Sequence, residues 1–405
     1  MEDIHRAIEA VARGSYGRLV AYLCARTRDV AGAEDALSEA LLAALTTWPR
    51  DGVPQKPEAW LLTTARRRLI DRARHERMHA ASSVTLQIIA EEVDEAISPE
   101  NFPDERLKLL FVCAHPAIDP DMHTPLMLQT VLGLDATRIA RAFLVSPTTM
   151  GQRLVRVKTK IRDAGIAFAV PEEAELPQRL DAVLDAIYAT YGSAWEDAAG
   201  VDPRRRGLAD EAIWLARILA QRMPSEPEVR GVLALMLYCE ARRPARRTPD
   251  GRYVPLFEQD MRRWSMPMID EAERELTVAA KQGQPGRFQL EAAIQSVHAE
   301  RAHSGRTDWY AIMSFYEGLV RLAPTLGARI GHAAAVAEAN GAEAGLVFLN
   351  EIAPATITTY QPYWAVRAHL LKNLAREPEA SEAFDRAIGL SEDDAVRQFL
   401  LERRG

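Results

Sequence analysis

The sequence predicts an all-α protein of several domains, and three observations carry that prediction. Apolar residues recur three and four positions apart along almost the whole of the 405-residue chain. No Val/Ile/Thr-rich stretch alternates for the length of a strand. Breaks rich in proline or glycine at 49–57, 98–103, 170–177, 244–255 and 283–286 cut the helical pattern into segments. A chain of this length exceeds one ordinary domain, so two or three are expected. The stretch PEEAELP at 171–177 is the clearest domain boundary, and the acidic stretch 80–103 is the clearest internal linker.

Taken in order, the first informative element is a helix over about 31–48. It buries Leu37, Leu41, Ala44 and Trp48 and displays Glu34, Asp35, Glu39 and the apolar Leu42. An acidic, partly apolar face of this kind suits a protein partner. The loop PRDGVPQKP follows at 49–57, and then a helix that starts near Glu58-Ala59-Trp60. That helix runs into six arginines within residues 66–77, set against Asp71 and Glu76. Arginines hold a nucleic-acid backbone, and an aromatic ring such as Trp60 can receive an unstacked base; a plain core role for Trp60 competes with that reading.

A helix-turn-helix is expected at about 135–162. Asp135 can cap a short helix whose inward face is Ile139, Ala140 and Phe143, and a tight turn through Leu144-Val145 follows. Ser146-Pro147 then offers an N-cap serine and a first-turn proline. Met150, Leu154, Val157 and Ile161 form a buried stripe. Thr149, Arg153, Arg156 and Lys160 lie on one shoulder, Lys158 and Arg162 on the other, and Thr148, Gln152 and Thr159 form the outward crest. Basic shoulders around a polar crest suit a DNA major groove.

Charge supports the same division. The net charge is −7, yet residues 1–170 hold 22 basic and 22 acidic side chains, so the whole excess lies in residues 171–405. Concentrated cations at 66–77 and 153–162 are what phosphate neutralisation requires. No run of about eighteen apolar residues suggests a membrane span, and the N-terminus MEDIHRAIEA lacks the apolar core of a signal peptide. Three widely spaced cysteines suit a reducing compartment, so a cytoplasmic location is expected.

Catalytic chemistry finds little support. No phosphate-binding glycine loop, nucleophile elbow or pair of catalytic carboxylates is present. Cys113, His115, Asp119 and His123 are close in sequence, as are His298, Glu300 and His303, but neither group has the spacing of a usual zinc site. No metal, cofactor or enzymatic activity is expected.

The segment from YGRLVAYLCARTRDV to PEAWLLTTARRRLIDRAR resembles region two of extracytoplasmic-function sigma factors. DERLKLLFVCAHPAI, continued by LDATRIARAFLVSPTTMGQRLVRVKTKIRDAGIAF, resembles their region four. The later segments ALMLYCEARRPAR, DGRYVPLFEQDMRRW, FQLEAAIQSVHAE, TDWYAIMSFYEGL and EPEASEAFDRAIGL are similar to a subgroup with a long C-terminal extension related to tetratricopeptide repeats. Departures from that pattern include Ala114 between Cys113 and His115, Ser265 after the Arg-Trp pair, Tyr191-Gly-Ser-Ala-Trp195, and Gly331-His332-Ala333.

The resemblance implies two small helical sigma domains, region two at 1–79 and region four at 104–170, joined by the linker 80–103. A degenerate helical-repeat domain at 171–405 follows. It implies docking of Asp35, Glu39 and Leu42 on the β′ clamp helices of core RNA polymerase, with region four near the β flap. Trp60, Arg66, Arg67, Arg68, Arg72 and Arg74 would take the minus-ten element of promoter DNA. Ser146, Thr148, Thr149, Gln152, Arg153, Arg156, Lys158 and Lys160 would take the minus-thirty-five element. The extension would modulate activity, with a protein regulator as its expected partner. The competing class is a helix-turn-helix repressor or repeat scaffold that does not bind polymerase.

Overall fold

The computed structural model describes residues 2–79, 104–143, 145–172, 174–196, 203–353 and 357–405. The expected linker 80–103 lies outside the described residues. Every regular element among the described residues is helical, and the bridge between Arg247 and Tyr253 is isolated. The all-α expectation is met. Two compact units are formed, one from Met1–Ala194 with Asp202–Leu215, the other from Trp195–Val201 with Ala216–Gly405.

In the first unit, α1 (Glu2–Thr27), α2 (Val30–Asp51) and α3 (Pro57–His79) pack on one another. Leu19, Leu23, Leu37, Ala40, Ala44, Trp48, Leu61 and Ala65 are buried, so helix-spaced apolar positions from all three meet in one core. The Glu58 carboxylate ties α3 to α1 through Ser15 and Arg18. Helix α2 outruns its expected end at 48: Pro49 is accommodated in its last turns, and the Gly52 amide still closes on the Trp48 carbonyl at 2.9 Å. A proline this near a helix end removes one bond and leaves most of the ladder intact. The connecting loop is correspondingly shorter than 49–57.

Four more helices follow: α4 (Arg106–Cys113), α5 (Pro120–Thr130), α6 (Ala136–Ala142) and α7 (Pro147–Asp163). Their core is Leu109, Leu110, Phe111, Leu126, Met127, Ile139, Met150, Leu154 and Ile161. Phe143, expected on the inward face, is exposed, because α6 ends at Ala142 and the next residue leaves the helical period. The two helical groups pack directly: α1 touches α4 and α5, and α2 touches α7. Gly17 of α1 is indispensable there, since a Cβ on it would fall 1.6 Å from the Val131 carbonyl oxygen. Gly133, at φ +67, turns the chain beneath the Tyr16 ring.

Helix α8 (Leu176–Glu196) is tied to α4 by Arg179, which donates to the Phe111 carbonyl. Helix α9 (Pro203–Arg222) gives its first half to this unit; Glu211 pairs with Arg106, whose guanidinium stacks 3.9 Å over Trp214.

The second unit is centred on α10 (Pro227–Ala241), which buries Val229, Val232, Leu233, Leu235, Met236, Leu237 and Tyr238 between α11 (Met266–Ala280) and α12 (Arg287–Ser304). Glu228 accepts from the Phe288 and Gln289 amides at 2.8 and 3.0 Å, satisfying free donors at the start of α12. Then come α13 (Trp309–Leu322), α14 (Leu326–Asn340) and α15 (Ala342–Asn350), packed in succession. The C-terminal helices are α16 (Gln361–Asn373), α17 (Glu377–Leu390) and α18 (Asp394–Arg404). Ala368, Ala380, Ala383 and Ala387 are fully buried, and these small side chains let α16 and α17 approach closely.

Candidate nucleic-acid interface and docking face

The second helix of the expected helix-turn-helix starts as its sequence requires. The Ser146 hydroxyl accepts from the Thr149 amide at 3.1 Å, Pro147 opens the first turn, and Asp135 caps α6 by accepting from Arg138 N at 2.9 Å. Met150, Leu154 and Ile161 face the core, with Val157 half-buried. Ser146, Thr148, Thr149, Gln152, Arg153, Arg156 and Lys160 are all exposed. Between Gln152 and Thr159 the crest carries Val155, 61% exposed, which sequence reasoning passed over. Its signal was there: 148, 152, 155 and 159 are one helical row.

Lys158 departs from its expected place on an outward shoulder. Its ammonium lies 2.5 Å from Glu34 Oε2, and both side chains are largely enclosed. Glu34 departs too: expected outward on α2, it is 7% exposed, with the Tyr16 hydroxyl 3.5 Å from its other oxygen. Burial pushes the Glu34 carboxyl up from its ordinary value, against the pull of the adjacent Lys158 ammonium. The Tyr16 phenol is raised by burial and by that same carboxylate. The reason for both departures is spacing. Lys158 sits four residues after Leu154 and three before Ile161, and Glu34 sits four after Val30 and three before Leu37, so each occupies a core position of its helix.

On the outer side of the three-helix group, Asp35, Glu39 and Leu42 are exposed, Leu42 by 63%. The acids are not isolated. Asp35 lies 3.3 Å from Arg72 Nη1, and Glu39 lies 3.4 Å from Arg68 Nε. The expected docking acids and the expected DNA-facing arginines therefore adjoin across α2 and α3. Arg67 is exposed, Arg66 is half-buried, and the side chain of Arg74 lies outside the described residues. Trp60 is half-buried and meets Trp48 edge to face, with ring centroids 5.6 Å apart.

The histidines, cysteine and aspartate of 113–123 are engaged in local contacts. Cys113 is buried beside Thr130, the His115 ring accepts from Ala117 N, Asp119 caps α5, and His123 Nε2 meets the Ile118 carbonyl. Burial raises the Cys113 thiol to about 12. Among the described residues no helix is long and apolar enough to cross a membrane.

Residues 12–78 match the family Sigma-70 region 2, and residues 179–280 match a family of unknown function (DUF6596). An uncharacterized protein of Rhizobium meliloti (strain 1021) is 36% identical over 393 residues, covering 96% of this chain and 92% of that protein. No solved structure matches. The chain belongs to the extracytoplasmic-function-like sigma factors that carry a long C-terminal extension.

Proposed function

We propose that the protein recruits core RNA polymerase to specific promoters and starts transcription there, as a cytoplasmic factor. The single observation that carries this reading is the Sigma-70 region 2 match over 12–78, the residues that form the acid–arginine face of α2 and α3. Asp35, Glu39 and Leu42 meet the β′ clamp helices, an exposed leucine one turn beyond two acids being suited to a partner that is basic and partly apolar. Trp60 offers a ring already braced by Trp48 to a base of the opened minus-ten element, while Arg66, Arg67, Arg68, Arg72 and Arg74 hold its backbone.

Region four lies near the β flap and places α7 in the major groove of the minus-thirty-five element. Arg153, Arg156 and Lys160 hold phosphates. Thr148, Thr149 and Gln152 meet base edges, and Val155 supplies an apolar contact of the kind a thymine methyl accepts. Lys158 serves this surface only when it leaves Glu34. The extension modulates the process, and a protein regulator is its candidate partner.

Run-off transcription with core polymerase and the DNA upstream of the protein's own coding sequence tests the reading. Polymerase-dependent initiation is expected, lost when Arg66–Arg68 are replaced together by Gln, or Arg153 with Arg156. Failure of the wild-type protein to capture core polymerase would leave the repressor or scaffold alternative.

A further inference from the structure

Three of the extension segments singled out in the sequence converge at one place in the second unit. ALMLYCEARRPAR ends α10 and places Arg242 just beyond it. DGRYVPLFEQDMRRW supplies Leu256 and Trp264, and the Ser265 amide fastens that loop to the last α10 carbonyl, Ala241, at 2.9 Å. FQLEAAIQSVHAE lies on α12 and supplies Gln295 and His298, with Arg301 one step further along the same face.

The contacts join these residues into one cluster. Arg242 donates to the Tyr238 carbonyl at 3.2 Å and to Gln295 Oε1, and lies 3.8 Å from Cys239 Sγ. Arg301 donates to the Leu256 carbonyl at 2.9 Å and stands 5.5 Å from the Trp264 ring. His298 feels the charge of both guanidiniums and meets Trp309 edge to face, with ring centroids 5.5 Å apart.

Among the described residues no carboxylate pairs with Arg242 or Arg301. The partners of Arg242 and Arg301 are carbonyls, an amide, a thiol and an indole. The nearby carboxylates are committed elsewhere, Glu291 to Arg287 and Glu273 to the Tyr238 hydroxyl. A guanidinium cannot shed its proton, and buried cations are ordinarily paired. Instead burial, with the charges of Arg242 and Arg301 acting in the same direction, pushes His298 down to about 3. Arg301 is lowered by burial and by Arg242. Three donors are shielded from solvent and have no acceptor among the described residues: Arg242 Nη1, Arg301 Nε and Trp264 Nε1. Arg242 is 6% exposed and Trp264 5%, so these are donors of the protein interior.

We propose that Arg242, Arg301, Trp264 and His298 form a binding site for a small oxyanion, the phosphoryl group of a metabolite. Donors from the end of α10, the face of α12 and the loop before α11 approach from three elements. That suits a tetrahedral anion better than the in-plane fork of a carboxylate. The anion supplies the missing negative charge and accepts from all three donors at once. The extension thus becomes a sensor of a phosphorylated small molecule. This rests on the second unit alone, and binding is read without polymerase or DNA, so it stands or falls separately from the sigma reading.

Titration calorimetry of the full-length chain provides the test, with inorganic phosphate, sulfate and succinate each added at constant ionic strength held with chloride. Saturable binding of phosphate is expected. Trp264→Phe keeps the ring, removes one donor and should weaken phosphate by about tenfold or more, the worth of one hydrogen bond to a charged group. Arg301→Gln should abolish binding while circular dichroism shows the helices intact. If Arg301→Gln does not fold, Trp264→Phe decides alone. A flat wild-type titration with all three anions overturns the site, as does phosphate binding unchanged in the variants. Succinate binding tighter than phosphate overturns the phosphoryl assignment.

Discussion

Lys158 and Glu34 are 124 positions apart in the chain and 2.5 Å apart in space, and their contact joins α7 to α2. A largely buried ion pair of this kind adds little net stability, because desolvation offsets the attraction, but removing one partner strands the other charge. Lys158→Met should therefore destabilise the α2–α7 contact by about 3 kcal/mol, whereas Glu34→Gln combined with Lys158→Met should recover most of the loss. Hydrogen exchange at the α7 amides measures both. Equal exchange in the single and double variants would sink the idea.

The same pair sets a pH dependence. Glu34 has a folded-state pKa raised by burial, so at pH between its ordinary value and that raised value the folded form binds more proton than the unfolded form does. Its contribution is present below the ordinary carboxylate range and is lost as pH rises through the raised folded value. In Lys158→Met, without the opposing ammonium, the rise is larger. The variant's deficit should thus shrink on acidification and widen towards alkaline pH, as read by α7 exchange at a series of pH values.

Gly17 offers a test of the contact that leaves every charge in place. A Cβ there would overlap the Val131 carbonyl, which is backbone and has little room to retreat. Gly17→Ala should push α1 away from the α4–α7 group, lengthening the separation between spin labels placed on exposed Thr46 and Gln152. Gly14→Ala, with open space around its Cβ, is the matched control and should leave that separation unchanged.

Much of this was legible in the chain and some was not, for identifiable reasons. The start of α7 could be read directly, because Ser146-Pro147 is a local device whose geometry depends on its own few residues. Exposure of Arg153, Arg156, Asp35 and Glu39 followed from helical period. Lys158 and Glu34 also sat on core rows of their helices, but a charged side chain reads as solvent-facing until its partner is known, and that partner lies in another segment. Arg242, Arg301 and Trp264 were beyond reach for the same reason: their meeting depends on how three distant segments pack.

His298 makes the second unit acid-sensitive. Its folded pKa is depressed to about 3 from an unfolded value near 6.5, by burial first and by Arg242 and Arg301 next. Stability from this group is full above the unfolded value and declines as pH falls through the interval towards the folded one. The slope is at most about 1.4 kcal/mol per pH unit for one proton. His298→Gln should flatten that part of the profile in chemical denaturation followed by circular dichroism. A profile that stays equally steep would show that other groups carry it.

Arg68 and Arg72 pair with Glu39 and Asp35 at the surface, where such pairs are worth at most about 1 kcal/mol. Both partners of each pair stay more than half exposed, so exchange for stronger partners costs little. Replacing Arg68 and Arg72 together by Gln should leave stability within about 1 kcal/mol of wild type. If these arginines hold the backbone of opened promoter DNA, each contributes about 0.7 to the slope of log affinity against log salt for a single strand. The double variant should then lower that slope by about 1.4. Salt titration of polymerase-bound protein on promoter DNA measures it, and an unchanged slope with unchanged stability would remove both arginines from the DNA path while leaving their role beside Asp35 and Glu39 intact.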